Sequence, residues 1–216
     1  MSLLQRLFGG APARVADAQR WVVVDVETSG LDLRNDRLLA LAAVALRLDG
    51  QATPRIELAD SFEAVLRQVG AATDKDNILL HGIGVAEQRA GAPPGDVLAA
   101  FEQWLGRAPL IAFHARFDET MIGRAMKRAL GRGLANPWLD LEPVAATLVP
   151  GMDNRALDDW LDHFDIECHP RHQAAADTLA TAELLLRLWP AMRSHRCTDF
   201  ASLVRLVEDR RWLKAR

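Results

Sequence analysis

The chain has 216 residues, half of them hydrophobic and a quarter charged, which suits one globular domain of the soluble class with a full core. A formal net charge of −3 argues against binding nucleic acid by general electrostatic attraction, though not against meeting phosphates through bound metal ions, since two divalent cations would bring −3 to +1 at the site itself. Cys168 and Cys197 are too few for a disulfide framework, so a reducing cytoplasm is the simplest setting, and no apolar run approaches the length of a membrane span.

Residues 1–19 read as a tail or a short first helix, interrupted by Gly9, Gly10 and Pro12. Residues 21–26 are a β-branched run that reads as a buried strand, and Gly30 ends it. Asp49 and Gly50 form a favoured hairpin turn, so 37–48 and 53–62 are expected to pair antiparallel. Residues 70–95, with Gly70, Gly82, Gly84, Gly91 and a proline pair, read as loop with room for a short helix. Asp96 is expected to cap a helix through Leu105.

A short strand over 109–113 follows. Phe117, Met121, Ile122, Ala125 and Ala129 then recur at helical spacing until Gly131 stops them. Residues 137–140 read as a fifth strand. Asn154 is expected to cap a helix carrying Leu157, Trp160, Leu161 and Phe164. The last strong helix runs from about Ala174 to Trp189, ended by Pro190, and 191–216 read as an appended helix with a basic end. The organisation expected is a tail over 1–19, a domain over 20–190 and a helical extension of that domain over 191–216. The class is α/β, a mixed sheet flanked by helices.

Asp25 and Glu27 stand two apart at the end of an otherwise apolar strand, so both carboxylates lie on one side of it. Adjacent carboxylates repel unless a cation sits between them, which makes the pair a natural ligand set for a hard divalent ion. A solvated strand end accounts for this pair alone equally well. Asp118 falls in the first turn of the helix after the 109–113 strand, where an acid also pairs with the helix dipole. His172 and Asp177 are five apart, a rotation of roughly 140° on a helix, so they converge only if His172 lies in the loop before the helix that carries Asp177. Together the four carboxylates can hold two ions in the arrangement used for in-line displacement at phosphorus, and a neutral histidine nearby can take the proton from the attacking water.

Three segments in order resemble the motifs of the DnaQ-like, or DEDDh, 3′–5′ exonucleases, the family of the proofreading epsilon subunit of bacterial DNA polymerase III. They are Asp25-Val26-Glu27-Thr28-Ser29-Gly30-Leu31, Phe117-Asp118, and His172-Gln173-Ala174-Ala175-Ala176-Asp177. The segment around Leu80 to Ile83 is also similar. The second motif departs from the family pattern, with Phe113 and His114 where the family has His and Asn.

The resemblance covers roughly residues 20–190. It implies a ribonuclease-H-like sheet of five strands in order 3-2-1-4-5, strand 2 antiparallel. It implies two Mg²⁺ ions, with Mn²⁺ able to substitute, held by Asp25, Glu27, Asp118 and Asp177, and His172 as general base. It implies contacts to a terminal nucleotide by Thr28 and Ile83, to which we add His114 and Arg116 as candidates from their place beside the motif. The reaction implied is stepwise hydrolysis from single-stranded or frayed 3′ ends, DNA favoured, releasing nucleoside 5′-monophosphates.

An exoribonuclease or oligonucleotide-degrading enzyme of the same family is the alternative; a non-catalytic nucleic-acid or protein-binding module on this fold is the alternative of another class. Polymerase contact is an analogy with the family, and residues 5–8 are faintly similar to peptides that bind the bacterial sliding clamp. Arg124, Lys127, Arg128 and Arg132 read as the solvated face of their helix, whereas Arg116 and Arg171 adjoin the motifs.

Overall fold

The computed structural model describes residues 19–50, 52–69 and 75–214. The expected tail or helix at the start and the clamp-like residues 5–8 lie outside the described residues.

The strands are β1 (Arg20–Thr28), β2 (Leu38–Arg47), β3 (Arg55–Val65), β4 (Leu110–Ala112) and β5 (Trp138–Asp140). They form one sheet in order β3-β2-β1-β4-β5. β1 pairs antiparallel with β2 and parallel with β4, and β4 runs parallel to β5. The order and the antiparallel second strand are those the resemblance implied. The hairpin closes through Gly50 in the left-handed region at φ 56°, as an Asp-Gly turn requires.

β1 sits at the centre and alternates between two cores. Trp21 and Val23 join Ile111, Leu139, Leu185 and Trp189 on one face. Val22, Val24 and Val26 join Leu41, Phe101 and Ile122 on the other. A strand buried on both faces reads as a continuous apolar run, which is why 21–26 was recognisable. Arg20, at the start of β1, reaches across to the hairpin's outer strand. Its guanidinium bonds both carboxylate oxygens of buried Asp60 at 2.8 and 3.1 Å, donates to the Leu105 carbonyl at 3.0 Å and lies 4.6 Å over the Trp104 ring.

The helices are α1 (Lys75–His81), α2 (Val85–Ala90), α3 (Pro94–Leu105), α4 (Arg116–Leu130), α5 (Leu141–Leu148), α6 (Leu157–His163), α7 (Ala174–Ser194) and α8 (Phe200–Lys214). Four expectations are corrected. Residues 70–95 carry two short helices, α1 and α2, rather than loop with at most one. α3 starts at Pro94 after the cap residue Pro93, so Asp96 lies in its first turn instead of capping it; a proline at the first helical position brings its φ pre-set and needs no bonding partner for a missing N–H. Asn154 has φ 53° and lies outside α6, whose cap is Ala156; the Asp159 carboxylate accepts from the Ala156 N–H at 3.1 Å.

The fourth correction concerns Pro190. It does not end α7, which continues to Ser194. A mid-helix proline costs about 3 kcal/mol, and here Leu188, Trp189 and Met192, all buried around it, hold the helix in register. Trp189 meets Trp21 edge-on at 6.2 Å. α5 is an element the sequence reading did not include; its Pro143 sits in the first turn, where proline is tolerated. α8 packs on the same core through Leu203 and Val207, and its Arg210 Nη1 donates to the Pro143 carbonyl and to Thr147 Oγ1, both at 3.0 Å. No described helix is long and apolar enough to cross a membrane.

Candidate active site

Asp25 and Glu27 continue the odd-numbered face of β1, the face covered by α7. Their partners across the ladder are Ala42 and Ala40. Two alanines opposite two acids leave open volume there and let α7 approach closely. Thr178, just past the first turn of α7, donates its hydroxyl to the Ala42 carbonyl at 3.1 Å. That bond fixes the neighbouring Asp177 over the pair. Asp25, Glu27 and Asp177 each offer a carboxylate oxygen, and these lie within 4.8 Å of one another, the one such group among the described residues.

The strand then turns sharply. The β1–β2 register shifts between Glu27 and Thr28, a bulge that re-aims the strand end. Thr28 Oγ1 donates to the Gly30 carbonyl at 2.7 Å, and Ser29 Oγ donates to Asp36 Oδ1 at 2.7 Å. A Cβ on Gly30 would lie 2.5 Å from Asp36 Oδ2, so the loop closes this tightly only with glycine at that position.

Asp118 arrives from the other side of the sheet. β4 stops at Ala112, and beyond it the Val26 N–H of β1 is met by the Asp118 carboxylate. Asp118 is buried and near enough to Asp25 to raise its pKa, but it stands outside the three-acid group. Asp140, at the end of β5, completes this edge: its Oδ1 accepts from the His114 N–H at 2.9 Å and from Glu142 at 3.2 Å, and its charge also raises Asp118. Its position at a strand end gives no local sign of this; only the parallel pairing of β4 with β5 brings it near the site.

The electrostatics are those of a site short of positive charge. Burial, then the neighbouring Asp118, Glu27 and Asp177, push the Asp25 carboxyl well above the carboxylate range. Burial and Asp177 push Glu27 up to about 8. Arg171 opposes both shifts. It donates through Nη1 to Asp177 Oδ1 and through Nε to the exposed Asp158 carboxylate, while Cys168 Sγ lies 3.5 Å from the same Asp177 oxygen. Sequence placed Arg171 beside the motif but gave no sign of Asp158, thirteen residues away in chain, as its second anchor.

His172 sits, as expected, in the loop before α7, at φ 60° and half-buried. Its main-chain N–H donates to Asp177 Oδ2 at 3.2 Å. Its ring is not one of the three-acid group. Ile83 is pinned from both sides: its N–H donates to His81 Nδ1 and its carbonyl accepts from buried Gln88, each at 3.0 Å. Asn77 of α1 donates to the Thr28 carbonyl at 2.8 Å, tying that segment to the end of β1. His114 and Arg116 are exposed, and His114 takes φ 61° with its ring edge-on to Phe113 at 4.7 Å.

Such a constellation, three carboxylates converging from a central strand and a helix start with a fourth beside them, defines a candidate centre for hard divalent cations. The family RNase_T, described as Exonuclease, matches residues 22–185, and the chain belongs to this exonuclease family. The match agrees with the DnaQ-like resemblance. A DNA polymerase III PolC-type protein of Bacillus subtilis is 32% identical over 82% of this chain and 12% of its own length. A DNA polymerase III subunit epsilon-like protein of Rhodobacter capsulatus is 29% identical over 87% of this chain and 26% of its own. The chain thus spans a small part of the curated relatives it matches. The structure of E. coli Exonuclease I in complex with a dT13 oligonucleotide superposes with a TM-score of 0.67 at 19% identity, covering 82% of this chain and 42% of that one, a likeness of fold.

Proposed function

We propose that the chain is a metal-dependent 3′–5′ exonuclease that releases nucleoside 5′-monophosphates from single-stranded or frayed 3′ ends. The observation that carries this reading is the convergence of Asp25, Glu27 and Asp177 within 4.8 Å, inside a segment matched by an exonuclease family. The residues fit a divalent cation. Their donors are hard oxygens, burial leaves them short of countercharge, and Arg171 supplies the one cation that bonds Asp177 among the described residues.

Asp25, Glu27 and Asp177 would hold one Mg²⁺ or Mn²⁺, with Asp25 and Asp118 serving the second. When bound, such ions activate water and stabilise charge at phosphorus. His172, at the mouth of the α7 loop, would accept the proton of the attacking water. The Thr28 backbone and the side chain of Ile83, whose main chain is pinned, position the terminal nucleotide, with His114 and Arg116 exposed at the rim. The solved neighbour bound to dT13 supports a single-stranded DNA substrate, and the polymerase names of the relatives support a place beside a polymerase. Residues 191–216 belong with the same domain in this reading.

The test is a 5′-labelled oligonucleotide, DNA and RNA in parallel, with Mg²⁺ or Mn²⁺ and an Asp25→Ala control. A ladder shortening from the 3′ end and absent in the control is expected; a stronger ladder on RNA would move the assignment to an exoribonuclease. No cleavage of either with either metal sinks the proposal.

A further inference from the structure

Next to the acid site lies a second cleft, of about 660 Å³, that the proposed chemistry does not use. Its rim carries Arg37, Arg124, Lys127 and Arg128, and the buried Leu38 and Met121 lie beneath them. Lys127 and Arg128 are exposed, and Arg37 and Arg124 are half-buried. The guanidinium of Arg124 donates to the carbonyls of Arg34 and Asp36, and Arg37 Nη1 to that of Val69 at 3.4 Å. Lys127 Nζ donates to the Gly131 carbonyl at 3.2 Å. Neutral acceptors orient these cations without cancelling them. Asp36 is the one acid on the rim; it accepts from Ser29 Oγ and from the Asp32 N–H, and Asp32 itself lies near Arg124.

Two elements lead from the acid site to the cleft. Leu38 pairs with Thr28 at the end of β1, and the Ser29 N–H donates to the Arg37 carbonyl at 2.9 Å. α4 starts at the acid site with Asp118 and carries Met121, Arg124, Lys127 and Arg128 along the cleft, a run of about 15 Å at 1.5 Å per residue. Cations in the last turn of a helix offset its dipole, and that accounts for Lys127 and Arg128. It does not account for Arg37, which enters the same cleft from the β1–β2 loop, nor for Arg124 in mid-helix.

A chain of net charge −3 that gathers four cations in one cleft, one helix length from a phosphodiester site, has the charge pattern of a track for a phosphate backbone. We infer that this cleft holds the backbone of a single-stranded nucleic acid upstream of its 3′ end. The inference rests on the exonuclease reading, and deepens it by naming where the strand lies. Phosphates meet Arg37, Arg124, Lys127 and Arg128 in turn.

The test compares oligothymidylates of two and ten nucleotides as substrates with Mg²⁺, for the wild type and a Lys127→Gln/Arg128→Gln double variant. Fluorescence anisotropy of labelled ten-mer is read alongside, and thermal melts verify that the variant folds. Both side chains are exposed and outside the catalytic group, so kcat on the dinucleotide is expected to stay unchanged. KM for the ten-mer is expected to rise about tenfold, and the salt slope of ten-mer binding to fall by about 1.4, roughly 0.7 for each phosphate contact removed. Equal KM for the two lengths in the wild type, or an unchanged salt slope in the variant, overturns the track and leaves the exonuclease reading standing. Ten-mer binding that depends on Lys127 and Arg128 without hydrolysis of either length keeps the track and overturns the exonuclease reading.

Discussion

Arg171 donates through Nη1 to Oδ1 of Asp177, so an arginine already occupies a carboxylate oxygen of the three-acid group. Its other bond, to Asp158, holds it at the edge of the site. A divalent ion reaching Asp177 competes with this guanidinium. Arg171→Ala is expected to tighten Mn²⁺ binding above pH 8 about fivefold, the equivalent of ~1 kcal/mol for a partly exposed ion pair. It should also lower the melting temperature in EDTA, because the acids lose their countercharge. Calorimetric titration with Mn²⁺ checks the first and thermal melts the second; weaker metal binding would show that Arg171 supports the ion rather than competing with it.

His172 lies at the cluster through its main chain, while its ring stays out of the three-acid group. His172→Ala is expected to keep Mn²⁺ affinity within about twofold and to reduce kcat by about 10²–10⁴, the range for a lost general base. Unchanged turnover removes His172 from that role.

Glu27 has a folded-state pKa of about 8 against an ordinary 4.5. The folded metal-free protein therefore keeps a proton that the unfolded chain releases, and its stability falls as pH rises from about 4.5 through about 8. A divalent ion binds the deprotonated acids, so the gain in melting temperature on adding Mg²⁺ grows over the same window and levels off above it. Melts in EDTA and in Mg²⁺ at half-unit pH steps check this. A metal-induced gain that does not change with pH contradicts it.

The acids also strain one another. Burial and three like charges raise Asp25, so Asp25→Asn removes a group the metal-free fold accommodates at a cost. The variant is expected to be inactive yet to melt a few degrees higher in EDTA at pH 8, at about 2–4 °C per kcal/mol for a domain of this size. A lower melting temperature would mean that Asp25 has a structural bond its amide cannot replace.

The sheet was legible because β1 is apolar on both faces and the hairpin turn is Asp-Gly, both local signals. The three acids and His172 were legible because each sits where an element begins or ends. Two kinds of feature stayed hidden. Helix limits such as Pro190 and Asn154 are set by packing, here by Trp189 against Trp21 and by Asp159 reaching back to Ala156. Contacts between remote segments, Arg171 with Asp158 and Asp140 with His114, leave no periodic trace in sequence. Arg124, Lys127 and Arg128 read from sequence as a solvated helix face, and Arg37 joins them only through the fold.

The central claim is metal-dependent hydrolysis from the 3′ end. It is tested most directly by digesting an unlabelled oligonucleotide in ¹⁸O-water and reading the products by mass spectrometry, with and without Mg²⁺. The account predicts nucleoside 5′-monophosphates released stepwise from the 3′ end, each carrying one ¹⁸O on phosphorus, with no product when metal is chelated and none from a 3′-blocked strand. Internal cuts, 3′-monophosphates, or the same products in the presence of chelator would contradict it.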